Sequence, residues 1–305
     1  MLPPKVIIAG GTGFMGTALS RHLTNCRYRI IVLTRRHQTD KEGIRYVKWD
    51  GKSTGVWAEH LEGASAVINL CGRSVDCRYT EQNKQAIYNS RIEPTQTLGQ
   101  AIKACENPPE VWINGSTATY YRHAMDRPMT EEAGERGEGF SVDVATKWEE
   151  AFYMPDLPYT RRVALRTAIV MGMEGGALPV MIRLARAGLG GRQGSGRQIV
   201  SWVHIEDFCR SVAFLINCKH AEGGYNVASP APIPNAILMK KLANKFGPGF
   251  GLPAPKTLLE FGAYFIRTET ELVLKSRWVL PKRLQEEGFT FHHADMDAAL
   301  STMTP

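Results

Sequence analysis

The chain has 305 residues, 43% of them hydrophobic and 22% charged, and a formal net charge of +7. That is an ordinary globular composition, long enough for about two domains and without the apolar run of roughly 18 residues that a membrane span needs. Basic residues are spread along the chain with no nucleic-acid-binding signature, so the charge points to an anionic cofactor or substrate plus solvation, and away from DNA or RNA. The six cysteines are scattered and form no C-x-x-C pair, which favours reduced thiols and a cytoplasmic location and implies no disulfide framework and no metal site. A first strand that begins by Lys5 leaves no room for a targeting peptide.

The apolar run Val6-Ile7-Ile8-Ala9 reads as the first strand, and Gly10, Gly11, Gly13 and Gly16 follow at once, ahead of a helical pattern over Thr17–Leu23. Strand, glycine turn and helix together make a dinucleotide-binding signature. Gly10 lets the chain turn, Gly13 leaves room for a pyrophosphate, and Gly16 lets the helix pack on the sheet. The helix start offers free N–H groups and a partial positive charge to phosphates. A second strand over Tyr28–Thr34 ends in Arg35-Arg36. NAD sites place Asp or Glu at this junction for the ribose hydroxyl, and a carboxylate there would repel a 2′-phosphate. Thr34, Arg35 and Arg36 instead suit NADP(H), because guanidinium groups pair with phosphate bidentately. The bland alternative is that both arginines are solvated.

A third strand over Ile44–Trp49 ends at Asp50, which either reaches the adenine edge or forms a turn before Gly51. A polar stretch (51–63) leads to a fourth strand, Ala66–Leu70, that breaks at Cys71-Gly72, where a doubly wound sheet meets its cofactor. Cys71 fits a packing role better than a nucleophilic one. From Thr80 to Ala104 the pattern is helical, with Pro94 expected to kink or restart it. Gln85, Ser90 and Arg91 are polar groups on this helix beside the cleft, and Arg91 is a candidate for the cofactor phosphates. The fifth strand, Glu110–Ile113, runs into the hydroxyl cluster 114–121 at another strand end where ligands collect.

A glycine-containing loop precedes a helix carrying Asp143 and Lys147. The sixth strand, Thr160–Ile169, closes at Met171-Gly172, with Arg166, Thr167 and Val170 expected near the nicotinamide end. Next come a helix, Ala177–Ala187, a glycine-rich loop, Gly188–Gly196, typical of a substrate flap, and a β segment (198–203). His204-Ile205-Glu206-Asp207 then opens a helix over Phe208–Asn217. His204 and Asp207 read as a structural His and a helix-start Asp, with acid–base chemistry the alternative. A short strand, Gly223–Val227, precedes a proline-rich change of composition, a helix Ala236–Phe246 and a further helical run to about Leu274. His292-His293 stands too isolated for a metal site.

Together GGTGFMG, INLCG at 68–72, NSR at 89–91, STATYY at 116–121 and WVHIED at 202–207 resemble the extended short-chain dehydrogenase/reductase superfamily. The resemblance is greatest to its atypical epimerase-family branch, whose small C-terminal domain of unknown function is similar to RWVLPKRLQEEGFTFHHADMDAAL. The resemblance implies an α/β, three-layer Rossmann fold with about seven mostly parallel strands. It implies an NADP-binding domain over 1–228, with 172–202 contributing to a substrate lobe, and a small C-terminal domain over 229–305. It places cofactor contacts on Gly10, Thr12, Gly13, Phe14, Met15, Thr34, Arg35, Leu70, Cys71, Arg91 and Val170, joined by Arg36, Asp50, Gly72, Gln85, Lys147 and Thr167 from the residue reading.

Typical members carry Ser with a Tyr-x-x-x-Lys helix. Ser116 matches the Ser, with Thr117 one residue off, and Lys147 matches the Lys, but Asp143 occupies the Tyr position. A free Asp titrates near about 3.9, and a Lys four residues on pushes it lower, so Asp143 is ionised and donates no proton at neutral pH. Tyr120 or Tyr121 is a phenol that could enter from the other side, giving Ser116, Lys147 and Tyr121 as the candidate catalytic set. Two functions follow: an NADP(H)-dependent oxidoreductase or epimerase for an unknown small carbonyl or hydroxyl compound, or a non-catalytic NADP(H) sensor. An oligomer is compatible with either.

Overall fold

The computed structural model describes residues 3–255 and 274–304. The apolar first strand, β1 (Lys5–Ala9), is buried on both faces, and so stands at the centre of a parallel sheet. Its neighbours are β2 (Arg29–Thr34) on one side and β4 (Ala66–Asn69) on the other. β3 (Ile44–Lys48) lies beyond β2. β5 (Val111–Thr117), β6 (Arg161–Thr167) and β11 (Gly223–Val227) continue from β4. The sheet order is β11-β6-β5-β4-β1-β2-β3, seven strands paired in parallel throughout. This is the expected three-layer Rossmann arrangement.

Helices cover both faces. Val6, Ile8, Ile30, Val32, Ile68 and Ile113 face α1 (Phe14–Asn25) and α5 (Ile205–Asn217). Ile7, Ile31, Leu33, Val67 and Trp112 face α2 (Glu81–Lys103) and α3 (Phe140–Tyr153). The alternation along each strand follows from the two-residue period of the pleat.

Several boundaries differ from those expected. α1 starts at Phe14, three residues early, so Gly16 lies inside it. α5 likewise starts at Ile205, because His204 caps it by accepting a hydrogen bond from the Glu206 amide at Nδ1. The polar stretch 51–63 contains a 3₁₀ turn, Val56–Leu61, anchored by buried Trp57, which packs edge-on against Trp49. α2 continues through buried Pro94 as one 23-residue helix. β5 runs four residues past Ile113.

The expected sixth strand is two strands. After Thr167 the chain leaves the main sheet, and β7 (Ile169–Gly172) pairs instead with β10 (Trp202–His204) and β8 (Gly175–Gly176). Here begins a second apolar cluster that joins α4 (Leu178–Arg186), α6 (Asn235–Phe246) and α8 (Met296–Thr302) through Met171, Ile182, Trp202, Leu238, Leu242 and Leu300. The pair β9 (Ile199–Val200) and β12 (Ile233–Pro234) and the short α7 (Lys282–Glu286) complete the described elements. Most of the helical run expected before Leu274 lies outside the described residues.

His293 is not isolated. Fully buried Asp207 accepts from the amides of His292 and His293, and Glu206 bonds both imidazoles, so the start of α5 latches the C-terminal segment. His204, Glu206 and His293 come within metal-ligand reach of one another, yet His204 Nδ1 is occupied by the helix cap and both Glu206 oxygens by histidines. Burial first, then the neighbouring His293, holds the His204 imidazole down at about 4, so it is neutral at pH 7.

Candidate functional site

The glycine turn joins β1 to α1 at the C-terminal edge of the sheet. Gly10 has φ +76°, and a Cβ there would stand 2.7 Å from the Leu70 carbonyl carbon at the end of β4. A Cβ on Gly16 would fall 2.5 Å from Gly11 Cα, so this glycine is required by packing within the turn itself. Gly13 differs: its nearest neighbour would be Gly10 O at 3.7 Å, so packing alone does not demand a glycine. It caps α1 with no side-chain hydrogen bond, and no acidic residue occupies the first turn. Thr12 and Gly13 are exposed. The helix start therefore presents amides and a positive dipole end to solvent, the environment an anion needs.

Phe14 serves the turn from behind. Its ring lies so close to Gly172 and Gly175 that any side chain at either would overlap it. Met15 packs on the α1 face of the core, and Val170 is buried in β7 beside that hairpin.

At the tip of β2, buried Thr34 accepts a hydrogen bond from the Arg36 amide, which sets the path of the two exposed arginines. Neither guanidinium forms an ion pair among the described residues. Asp50 has partners of its own. Its carboxylate accepts from the Ser53 hydroxyl and from the Ser53 and Lys52 amides, and these bonds, Ser53's hydroxyl foremost, lower it to about 2. These bonds form the local turn that one of the two readings of Asp50 expects.

Leu70 N donates to Ala9 O and Cys71 N to Asn69 Oδ1, which draws the end of β4 up to the glycine turn. Burial pushes the Cys71 thiol up to about 12, with only a small opposing pull from Arg35, so it is no nucleophile at neutral pH. Gly72 rests on the Arg91 guanidinium, 3.2 Å from a would-be Cβ. Arg91 stacks on Trp148 at 5.2 Å and donates to Ile87 O, with no carboxylate beside it among the described residues. Burial lowers it to about 10, leaving a cation without a protein counter-charge at the strand ends. Gln85 is exposed and donates to Asn89.

Of the candidate catalytic residues, Ser116 and Tyr121 share one polar network, and Lys147 has other partners. Ser116 donates to Glu149 Oε1 at 2.6 Å, and Arg166 grips Glu149 with two bonds of 2.9 and 2.8 Å. Arg166 also donates to the Tyr121 hydroxyl, which donates to Asn226 Oδ1. Tyr121 is fully buried. These hydroxyls thus belong to an internal polar network, whose physical reason is the need to satisfy a buried carboxylate and guanidinium. Partly exposed hydroxyl-bearing residues at this strand end are Thr117 and Thr119, 3.2 Å apart, and Tyr120, with Thr167 opposite on β6, bonded to Leu165 O.

Lys147 is not among the bonded members of that network. Its Nζ is 2.8 Å from Asp143 Oδ2 and 4.8 Å from the ring centroid of Tyr88, a residue of α2. The Tyr88 hydroxyl donates to the same Asp143 oxygen. Lys147, then Tyr88, hold the Asp143 carboxyl below its usual range. Tyr88, Glu149 and Asn226 were not singled out as site residues by sequence. Each acts through a partner on another element, and no local pattern marks such a pairing.

The profile of the NAD dependent epimerase/dehydratase family matches residues 6–228, and that of a domain of unknown function, DUF1731, matches residues 254–303. The human epimerase family protein SDR39U1 is 31% identical over 97% of this chain and 98% of its own length. The Bacillus subtilis epimerase family protein YfhF is 30% identical over 98% and 97%. Among solved structures, human SDR39U1 (isoform 2) with NADPH superposes with a TM-score of 0.86 at 29% identity, covering 98% of both chains. A nucleoside-diphosphate sugar epimerase from Corynebacterium glutamicum gives 0.79 at 28% identity, over 98% of this chain and 57% of the other.

Proposed function

The chain belongs to the NAD dependent epimerase/dehydratase family, and on that premise we propose that it is an NADP(H)-dependent oxidoreductase acting on a small carbonyl or hydroxyl compound. The observation that carries the cofactor choice is the tip of β2. Two exposed guanidinium groups stand there with no ion pair among the described residues, beside a helix start with no side-chain cap and no carboxylate in its first turn. NADPH in the human SDR39U1 structure supports the same choice.

The residues fit such a cofactor. Amides at the start of α1 would hold the pyrophosphate over Gly13, and Arg35 with Arg36 the 2′-phosphate. Arg91 offers a further cation at the end of β4, and Lys147 a donor for a ribose hydroxyl. The bound dinucleotide would supply or accept a hydride. Thr117, Thr119 and Tyr120 are partly exposed residues whose hydroxyls could orient a substrate oxygen, whereas Ser116 is engaged by Glu149. Calorimetric titration with NADPH, followed by reduction of a carbonyl panel against a Lys147→Ala control, tests the reading. Binding without turnover above that control would refute it.

A second reading, a non-catalytic NADP(H) sensor, is favoured by one observation: Ser116 and Asp143 are already partnered within the chain. Carbonyl reduction that disappears in Lys147→Ala would dismiss it.

A further inference from the structure

The oxidoreductase reading needs a proton carrier, and the candidates named from sequence are constrained: Tyr120 is partly exposed, with the Arg166 guanidinium 3.8 Å from its ring centroid. The position four residues before Lys147 holds a carboxylate, and the Tyr121 phenol is sealed in the Glu149–Arg166 network. A phenol nevertheless reaches Lys147. Tyr88 extends from α2 across to α3 and donates to Asp143 Oδ2, the oxygen on which Lys147 Nζ also rests at 2.8 Å. The ring is held edge-on against Phe140 at 5.4 Å, while the ammonium lies 4.8 Å from the ring centroid. A hydroxyl, a carboxylate and an ammonium therefore share one point.

That point is open and well placed. The Asp143 and Lys147 side chains are 46% and 50% exposed, whereas Ser116 and Tyr121 are buried. One turn along α2 from Tyr88, Arg91 lies against Gly72 at the end of β4 and stacks on Trp148, the residue after Lys147. The unit thus sits on the helix pair that flanks the strand ends, next to the cation assigned to the cleft. Partial burial first, and Asp143 second, raise the Tyr88 phenol well above its ordinary value, so it stays protonated across the neutral range. The raised value makes this phenol a weaker acid than a free tyrosine, so only a strongly basic alkoxide, as hydride addition leaves, would draw its proton, and the adjacent ammonium is the group that can restore it.

We propose that Tyr88 is the proton donor to the substrate oxygen, with Asp143 as the positioning residue that seats it and Lys147 as the group that reloads it. The proposal rests on the NADP(H)-oxidoreductase reading. In reduction, a hydride arrives at the carbonyl carbon from the reduced nicotinamide, which is oxidised, and the C=O π pair moves onto oxygen. The Tyr88 hydroxyl turns from Asp143 to that oxygen. Its O–H bond breaks, the proton forms the new alcohol O–H, and the bonding pair stays on the phenolate. Lys147 then returns a proton to the phenolate and regains one from water.

The test uses the full chain with NADPH, 9,10-phenanthrenequinone and small aldehydes as probes. Tyr88→Phe should lower kcat by about 100-fold while changing the NADPH Kd by less than about twofold. The double variant Tyr88→Phe/Asp143→Tyr returns a phenol to the α3 position and should recover part of the rate. A readout without cofactor accompanies these. In ultraviolet titration of the apo protein, Asp143→Asn should let one tyrosine ionise at lower pH, and the effect should vanish in a Tyr88→Phe background. The charged groups around this phenol are Asp143 and Lys147 on α3 and Glu81 and Lys84 on α2, of which only Asp143 is altered. Turnover in Tyr88→Phe within about threefold of the parent, or an unchanged tyrosine titration in Asp143→Asn, overturns the assignment and leaves the oxidoreductase reading intact. Loss of NADPH binding in Tyr88→Phe also overturns it, because the residue would then be structural. NADPH binding by the parent with no probe reduced refutes the oxidoreductase reading, and the assignment falls with it.

Discussion

Replacing Arg35 with serine should separate NADPH from NADH. The side chain is exposed at the tip of β2 and makes no ion pair among the described residues, so its loss removes nothing that holds the fold. Surface changes of this kind usually shift stability by less than about 0.5 kcal/mol. With a 2′-phosphate bound, the guanidinium would supply at least one charge-assisted hydrogen bond, a contribution of about 1.5–3 kcal/mol. Since each 1.4 kcal/mol or so is tenfold, NADPH affinity should fall about 10- to 100-fold. NADH has no 2′-phosphate and should lose less than about twofold, because the main-chain amides that hold the pyrophosphate are untouched. Calorimetry at two salt concentrations gives both constants, and added salt should narrow the difference between parent and variant by screening the pair. Equal weakening of the two nucleotides would refute the phosphate role, and with it the reason for choosing NADP(H) from this strand end.

The glycines of the turn should divide by cause. Gly16→Ala forces a Cβ against Gly11 and should cost about 1–3 kcal/mol in chemical denaturation, whereas Gly13→Ala should leave stability nearly unchanged and weaken NADPH binding. Glu149→Gln strips the half-buried Arg166 of its carboxylate and should lower stability by about 3 kcal/mol; a loss below about 1 kcal/mol would show that water compensates. Ser116→Ala deletes a single bond of that network, and a stability loss near about 1 kcal/mol with carbonyl reduction retained would place Ser116 outside the chemistry. His204 supplies the pH dependence. Its folded value of about 4 lies below the ordinary 6.5, so the unfolded chain binds the proton first and stability declines as pH falls from 6.5 towards 4. The interval is worth about 3 kcal/mol, and His204→Asn, which keeps a capping side chain, should flatten that slope.

The main sheet could be read from sequence because its signals are local. The strands buried on both faces are short apolar runs, and each ends in a glycine, hydroxyl or turn residue that marks where the backbone leaves the layer. Boundaries moved where a contact from a distant segment intervened. The 3₁₀ turn at Val56–Leu61 exists because Trp57 finds Trp49, and β6 gives way after Thr167 because from Ile169 the chain pairs with β10 in the second sheet. α2 runs on through Pro94, whose buried ring lies beside Gly51 of the loop after β3.

The two halves of the site were unequally legible for the same reason. The proposed cofactor half rests on one stretch, Gly10 to Met15, and one strand end, Thr34 to Arg36, so its chemistry follows chain order. The proton-handling half is decided between elements. Ser116 lies 33 residues from the Glu149 that takes its hydrogen, and Tyr88 lies 55 residues from the Asp143 that receives its own. Lys147 sits four residues from Asp143 in sequence, and their ion pair was legible; the phenol that completes it comes from another helix. A change at the tyrosine position of α3 therefore need not remove a phenol from the cleft. It can move the phenol one helix over, where only the packing of α2 on α3 reveals it.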